Sequence, residues 1–223
     1  MIELRALHKT YETGTVRVEA LRGIDLAVGE GEFLEIKGPS GSGKSTLLNM
    51  IGLLDEPTSG QVVLNGHLTE GLGDAARSRL RNRTIGFVFQ RFNLIAQMNV
   101  WKNVALPCRY AGVGRAERRE RALRALARVG LSDRAQHLPA QLSGGEEQRA
   151  AIARSLVMEP RLILADEPTG NLDTESGREV MGWFAHAHDG GTTVIVVTHD
   201  PIVDPYVQRR IRLRDGRLQA DGR

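Results

Sequence analysis

Gly38-Pro39-Ser40-Gly41-Ser42-Gly43-Lys44-Ser45 follows the apolar stretch Phe33 to Ile36 and leads into Thr46-Leu47-Leu48. The spacing G-x-x-x-x-G-K-[ST] predicts a strand, a tight loop and then a helix over Lys44 to Leu54. Its glycines let backbone N–H groups close around phosphate oxygens. Lys44 adds a point charge there, and Ser45 offers a hydroxyl oxygen to magnesium. A helix N-terminus at the same place supplies further unpaired donors. A strand feeding such a loop and helix belongs to a parallel α/β core, which is the expected fold class.

A second glycine pair lies far downstream, in Leu142-Ser143-Gly144-Gly145-Glu146. Ser143 and Glu146 fit the S-x-x-E capping box of a helix over Glu146 to Val157. Gly144 and Gly145 leave that helix start uncovered by side chains, which makes it a good anion site as well. It makes sense as a lid over the nucleotide of a second chain.

The strand Leu162-Ile163-Leu164-Ala165 ends in Asp166-Glu167. In α/β folds, ligands bind at the carboxyl ends of such strands. Asp166 suits a magnesium ligand, directly or through water, and Glu167 suits the base that orients or deprotonates an attacking water. A solvated strand end is the ordinary reading of one Asp-Glu pair, but the upstream glycine loop disfavours it. His199 follows the apolar strand Thr193 to Val197, and Gln90 follows Ile85 to Phe89. Both close core strands on the same edge as Asp166, so His199 can reach a γ-phosphate and Gln90 both magnesium and the attacking water. Tyr11 falls in a loop before Glu12-Thr13-Gly14, where its ring either stacks on adenine or packs at the strand end.

The remaining features narrow the class. The 223 residues are 41% apolar and 26% charged with a net charge of +3, an ordinary globular balance. No apolar run reaches the length that spans a bilayer, and Met1 to Arg5 lacks a signal-peptide core, so a cytoplasmic protein is expected. Cys108 stands alone, which excludes an internal disulfide and a cysteine metal cluster. Arg115 to Arg128 reads as a solvated amphipathic helix ending near Gly130. Arg210 to Arg214 reads as a strand turning at Asp215-Gly216. No aromatic residues interleave these charges, so no nucleic acid is expected.

In order along the chain stand Tyr11, GPSGSGKST at 38–46, Gln90, LSGGE at 142–146, LILADE at 162–167, Gly170-Asn171-Leu172-Asp173 and His199. This series resembles the ATP-binding-cassette ATPases over almost the whole chain. The resemblance implies a RecA-like P-loop core over about 1–89 and 155–223, an N-terminal antiparallel β subdomain, and an inserted helical subdomain over about 90–154. It also implies a head-to-tail dimer holding two ATP with Mg2+, each nucleotide between one chain's glycine loop and the other's Ser143-Gly144-Gly145. Asp173 and its loop would link the two sites.

Gly52 to Gly60, Phe87 to Ile95 and Asn103 to Pro107 are similar to the lipoprotein-release and macrolide-export subfamily. That likeness implies an integral-membrane permease with a large extracytoplasmic domain, which would hold the chain on the inner face of the membrane. Phe92 to Trp101 would then dock the permease, with Leu94, Ile95, Met98 and Trp101 either lining the groove or forming core of the helical subdomain. Relatives in cell division suggest an alternative, a mechanotransmission complex that controls an extracytoplasmic enzyme without transport. A soluble cassette for DNA repair or translation fits poorly, since the span from Lys44 to Asp166 leaves no room for a coiled-coil insertion. Two departures stand out. Glu147 replaces the usual glutamine or arginine, and Glu35 and Lys37 interrupt an otherwise apolar strand, on one face and close enough to pair.

Overall fold

A computed structural model describes residues 1–170 and 172–219 of the chain. Its centre is a six-stranded sheet ordered β10-β9-β3-β8-β7-β6. Here β3 is Phe33–Lys37, β6 Ile85–Val88, β7 Leu162–Asp166, β8 Thr193–Val197, β9 Arg209–Arg214 and β10 Arg217–Gln219. The pairs β3–β8, β3–β9, β7–β8 and β6–β7 are all parallel, and β10 alone turns back along β9. Parallel strands buried on both faces read as unbroken apolar runs. Leu162 to Ala165 and Thr193 to Val197 are buried at every position.

Alternation along these strands divides the core in two. Leu34, Ile36, Leu162, Leu164, Ile195 and Val197 face helix α1 (Lys44–Ile51) and a second, antiparallel sheet. That sheet runs β2-β1-β4-β5, with β1 Ile2–Thr13, β2 Val16–Val28, β4 Ser59–Leu64 and β5 His67–Leu68. Phe33, Val88, Ile163, Ala165, Val194 and Val196 face the opposite way. Their cluster takes in α3 (Val100–Val104), α5 (Arg115–Arg128), α6 (Gly144–Leu156) and α7 (Thr174–Asp189). The remaining α-helices are α2 (Asp74–Thr84) and α4 (Leu106–Tyr110), and three short 3-10 turns stand at Ser132–Arg134, Pro139–Gln141 and Pro201–Val203.

Three expectations need correction. β1 and β2 pair along most of their length, to Thr13 opposite Val16. Tyr11 therefore lies inside β1, opposite Val18, and not in a loop. The polar run Lys9-Thr10-Tyr11-Glu12 reads as loop locally, and only the partner strand makes it a ladder. Helix α1 stops at Ile51 rather than Leu54, because Gly52 closes the last turn and Leu53 takes a left-handed φ of 55°. Gln90 lies beyond a strand that already ends at Val88.

Glu35 and Lys37 have a structural explanation. Glu35 is fully buried, and its carboxylate accepts from Arg210 Nε at 2.7 Å while Lys37 Nζ lies 3.2 Å away. Asp204 joins the same cluster through both cations.

Candidate nucleotide site

The glycine loop bridges β3 and α1, and close packing explains two of its glycines. A Cβ on Gly38 would stand 2.1 Å from the Leu213 carbonyl oxygen. Gly43 has φ of 103°, and its Cβ would stand 2.5 Å from the Ala20 carbonyl oxygen. Only glycine takes such a backbone at low cost. Gly41 also has a positive φ, 78°, but faces open space beside Ser40. Lys44 Nζ donates to the carbonyls of Gly38 at 2.7 Å and Pro39 at 2.9 Å, so the ammonium lies across the loop. Helix α1 has no side-chain cap and no acid in its first turn. Ser42 Oγ is buried without a hydrogen-bond partner. A cradle with bare N–H donors, a cation and no competing carboxylate in that turn fits a phosphate group.

Beside it, the Ser45 hydroxyl lies near the Asp166 carboxylate at the end of β7. Burial pushes the Asp166 pKa up; the Ser45 hydroxyl and Lys44 charge pull it back, while Glu167 adds repulsion. A hydroxyl and a carboxylate in this position form the oxygen-rich donor set that suits a hard divalent cation.

Glu167 is held at both carboxylate oxygens. Thr198 Oγ1 donates to Oε2 at 3.0 Å, and His199 Nδ1 lies 3.0 Å from Oε1. Because an ionised carboxylate only accepts, Nδ1 carries the hydrogen and His199 turns Nε2 outward. The Glu167 N–H donates to the Val197 carbonyl at 2.8 Å, and its φ of 46° bends the chain sharply after β7. Left-handed non-glycine residues cost energy and concentrate at functional sites. Gln90 approaches from the β6 side: a Cβ built on Gly170 would meet Glu167 Cβ at 3.7 Å and Gln90 Nε2 at 3.8 Å. Gln90, Asp166, Glu167 and His199 therefore meet at the carboxyl ends of β6, β7 and β8.

Ser143, Gly144 and Gly145 open α6, where Ser143 Oγ accepts from the Glu146 N–H and Glu146 accepts from the Ser143 N–H. Arg134 Nε donates to the same Glu146 at 2.8 Å. Glu147 follows, and burial pushes its pKa up. Asp173 caps α7 by accepting from Glu175 and Ser176 N–H groups at 3.0 Å each. Asn171 lies outside the described residues.

Thr198 escaped sequence reasoning because a threonine ending a strand carries no motif. Gln148 escaped it too. It is buried in α6, and its Nε2 donates to the Pro168 carbonyl at 2.6 Å, tying the glycine-pair helix to the chain just after Glu167. The docking residues divide. Trp101 is buried in the helical core, with the Lys102 and Arg119 cations near its ring, which favours the core reading for this residue. Leu94 and Met98 are half-buried, and Ile95 is exposed on a loop folded around buried Asn103. A cavity of about 620 Å³ opens beside Asn93 of the same stretch, lined by Leu54, Phe87, Phe89, Tyr110 and Met158 together with Arg79 and Arg154.

The family profile described as "ABC transporter" matches residues 21–170. The ABC transporter ATP-binding protein YknY of Bacillus subtilis (strain 168), described as uncharacterized, is 50% identical over 98% of this chain and 95% of its own length. The macrolide export ATP-binding/permease protein MacB 2 of Aeromonas hydrophila is 47% identical over 99% of this chain, which spans 34% of that longer protein. Among solved structures, a dimeric post-hydrolysis state of the ATP-binding cassette MJ0796 bound to ADP and Pi superposes with a TM-score of 0.93. It is 44% identical over 99% of this chain and 97% of that one. With the loop, the strand-end carboxylates and the glycine-pair helix in place, these likenesses leave one assignment: the chain belongs to the ABC transporter family, as one of its ATP-binding and ATP-hydrolysing subunits.

Proposed function

We propose that two copies of this chain close head-to-tail around two ATP molecules and use their hydrolysis to drive a membrane permease of the lipoprotein-release or macrolide-export type. The observation that carries the chemistry is Glu167, held at 3.0 Å by both Thr198 and His199 beside the Ser45–Asp166 pair. Glycines 38, 41 and 43, with Pro39, Ser40 and Ser42, shape the loop whose N–H groups take the phosphates. Lys44 leaves its carbonyl partners to add charge, and Thr46 extends the first turn of α1. Magnesium would be held by Ser45 and Asp166, with Gln90 alongside, and would supply neutralisation of phosphate charge. Glu167 orients water and accepts its proton, while His199 keeps that carboxylate in place and offers Nε2 to the γ-phosphate. Ser143, Gly144 and Gly145 of the second copy complete the site with another uncovered helix start.

The likeness to MacB, described as an ATP-binding/permease protein, supports a permease partner, for which a large extracytoplasmic domain is part of the proposal. Among the described residues no helix is long and apolar enough to cross a membrane. The permease would therefore hold the subunit at the cytoplasmic face. The arginine-lined cavity over Phe87 and Phe89 offers a better seat for it than Trp101 does. Arg154 donates to the Phe92 and Asn93 carbonyls, which fixes the loop beside that cavity. The division into a core over about 1–89 and 155–223 and a helical part over about 90–154 gives the permease a lever.

The Glu167→Gln variant tests this. Hydrolysis should fall about 10²–10⁴-fold while ATP binding persists and a dimer accumulates with ATP and magnesium. Affinity capture of that trapped dimer from native membranes should enrich a permease over a Lys44→Ala control. A variant that stays monomeric with ATP, or enriches no membrane protein, overturns the reading.

A further inference from the structure

Tyr11 is fastened from several directions. Its hydroxyl donates to Asp55 Oδ2 at 2.9 Å and also meets the Thr46 side chain in the first turn of α1. Lys9, two residues earlier on the same face of β1, donates to Asp55 Oδ1 at 2.8 Å and to the Glu56 carbonyl at 2.7 Å. The same ammonium stands 4.8 Å from the centre of the Tyr11 ring. The Glu56 N–H closes the Asp55 turn at 2.7 Å, and Thr58 is hydrogen-bonded to both His8 and Thr10. The segment after α1 is thus clipped along β1, and the ring is set beside the phosphate-loop helix.

This clip is more than surface decoration. The Lys9 side chain is only 12% exposed. Burial would raise the Asp55 pKa, but hydrogen bonds from Lys9, the Glu56 N–H and Tyr11 outweigh it and hold the carboxyl below its ordinary range. The Lys9 ammonium stands over the Tyr11 ring while the residue is still 38% exposed, so ring surface remains for a partner. A cation on one side draws electron density from the ring, which eases stacking of an electron-rich base on the other.

We propose that Lys9 and Asp55 are positioning residues that hold the Tyr11 ring as a one-faced platform for the nucleotide base. The proposal rests on the reading of Tyr11 as a base contact. It separates base recognition, set by the β1 clip, from phosphate recognition, set by the glycine loop.

Calorimetric titration of the full chain with MgADP and with magnesium pyrophosphate distinguishes these contributions, because pyrophosphate has no base. Tyr11→Ala should weaken MgADP binding about tenfold and leave pyrophosphate binding unchanged. Asp55→Ala and Lys9→Met should each lower the MgADP-to-pyrophosphate affinity ratio in the same direction, by at least about threefold as part of that stacking effect. The Tyr11→Ala, Asp55→Ala double variant should lose no more than Tyr11→Ala alone. If Tyr11→Ala leaves the ratio unchanged, the base contact itself is wrong. If Tyr11→Ala lowers the ratio but Asp55→Ala weakens both ligands equally or neither, only the positioning role is overturned.

Discussion

The N-terminus of α1 carries no side-chain cap, no acid in its first turn, and a lysine at its first position. The N-terminus of α6 carries Ser143 as cap, Glu146 and Glu147 in its first turn, and Arg134 fastening Glu146 from outside. Both have glycine at their start, Gly43 just before α1 and Gly144 and Gly145 as the first residues of α6, yet their free N–H groups are managed in opposite ways. At α1 they are left bare, and the close approach of the Leu213 and Ala20 carbonyls leaves no room for a side chain at Gly38 or Gly43. At α6 Ser143 and Glu146 cap the helix reciprocally, and Gly144 and Gly145 stay uncovered by side chains. A site built to hold phosphate tightly and a site built to meet it transiently call for different starts.

The sharpest way to break the contrast is Gly43→Ala. A side chain at φ of 103°, aimed at the Ala20 carbonyl, should cost about 2–3 kcal/mol in denaturant unfolding. An unchanged midpoint would show that the loop tolerates other backbones. Lys44→Ala should lower ATP affinity about 10- to 100-fold with little change in melting, since the freed Gly38 and Pro39 carbonyls face water. Ser143→Ala should do the reverse, costing about 1 kcal/mol of stability while monomer ATP affinity holds. Equal losses of affinity in both variants would erase the distinction.

Gly144→Ala sharpens it further. No atom lies within 4 Å of a Cβ there, so alanine in the helix should stabilise by about 0.5–1 kcal/mol. Light scattering should nonetheless show weaker ATP-dependent dimer formation, because the new methyl covers the exposed helix start. The smallest effect concerns pH. The Ser143 N–H bond, then the Arg134 bond, holds the Glu146 pKa below its ordinary 4.5. A depressed carboxyl contributes stability above its ordinary pKa and loses it as pH falls through the folded value. The stability gap between the native chain and Glu146→Gln should therefore shrink on acidification from about pH 6 to about pH 3. A gap that grows would reverse the assignment.

Much of this was legible before any coordinates. The apolar runs at Leu162 and Thr193 announced buried parallel strands, and the glycine spacing announced the loop, because both signals are local. Ser143 and Glu146 declared their mutual cap for the same reason. What stayed hidden depends on residues distant in sequence. The ladder holding Tyr11 is written as much in Val16 and Val18 as in β1. Asp55 reaches Lys9 from the far end of α1, and Thr198 matters only because β8 lies beside β7. The choice between groove and core for Trp101 stays open in the sequence, because helices later in the chain are what bury it.

Glu35 carries a last consequence. Parallel strands rich in Val, Ile and Leu offer few marks by which one alignment differs from the next. Here β3 sets a wholly buried carboxylate opposite Arg210 of β9. A slip of one residue would turn that charge to the other face of the sheet, among Leu164, Ile195 and Val197 of the neighbouring strands, and leaving a buried charge unpaired costs about 3–5 kcal/mol. The ion pair serves as a notch that only one pairing of the two strands can fit. The phosphate loop depends on that fit, since Gly38 follows β3 directly and Leu213 of β9 presses against it.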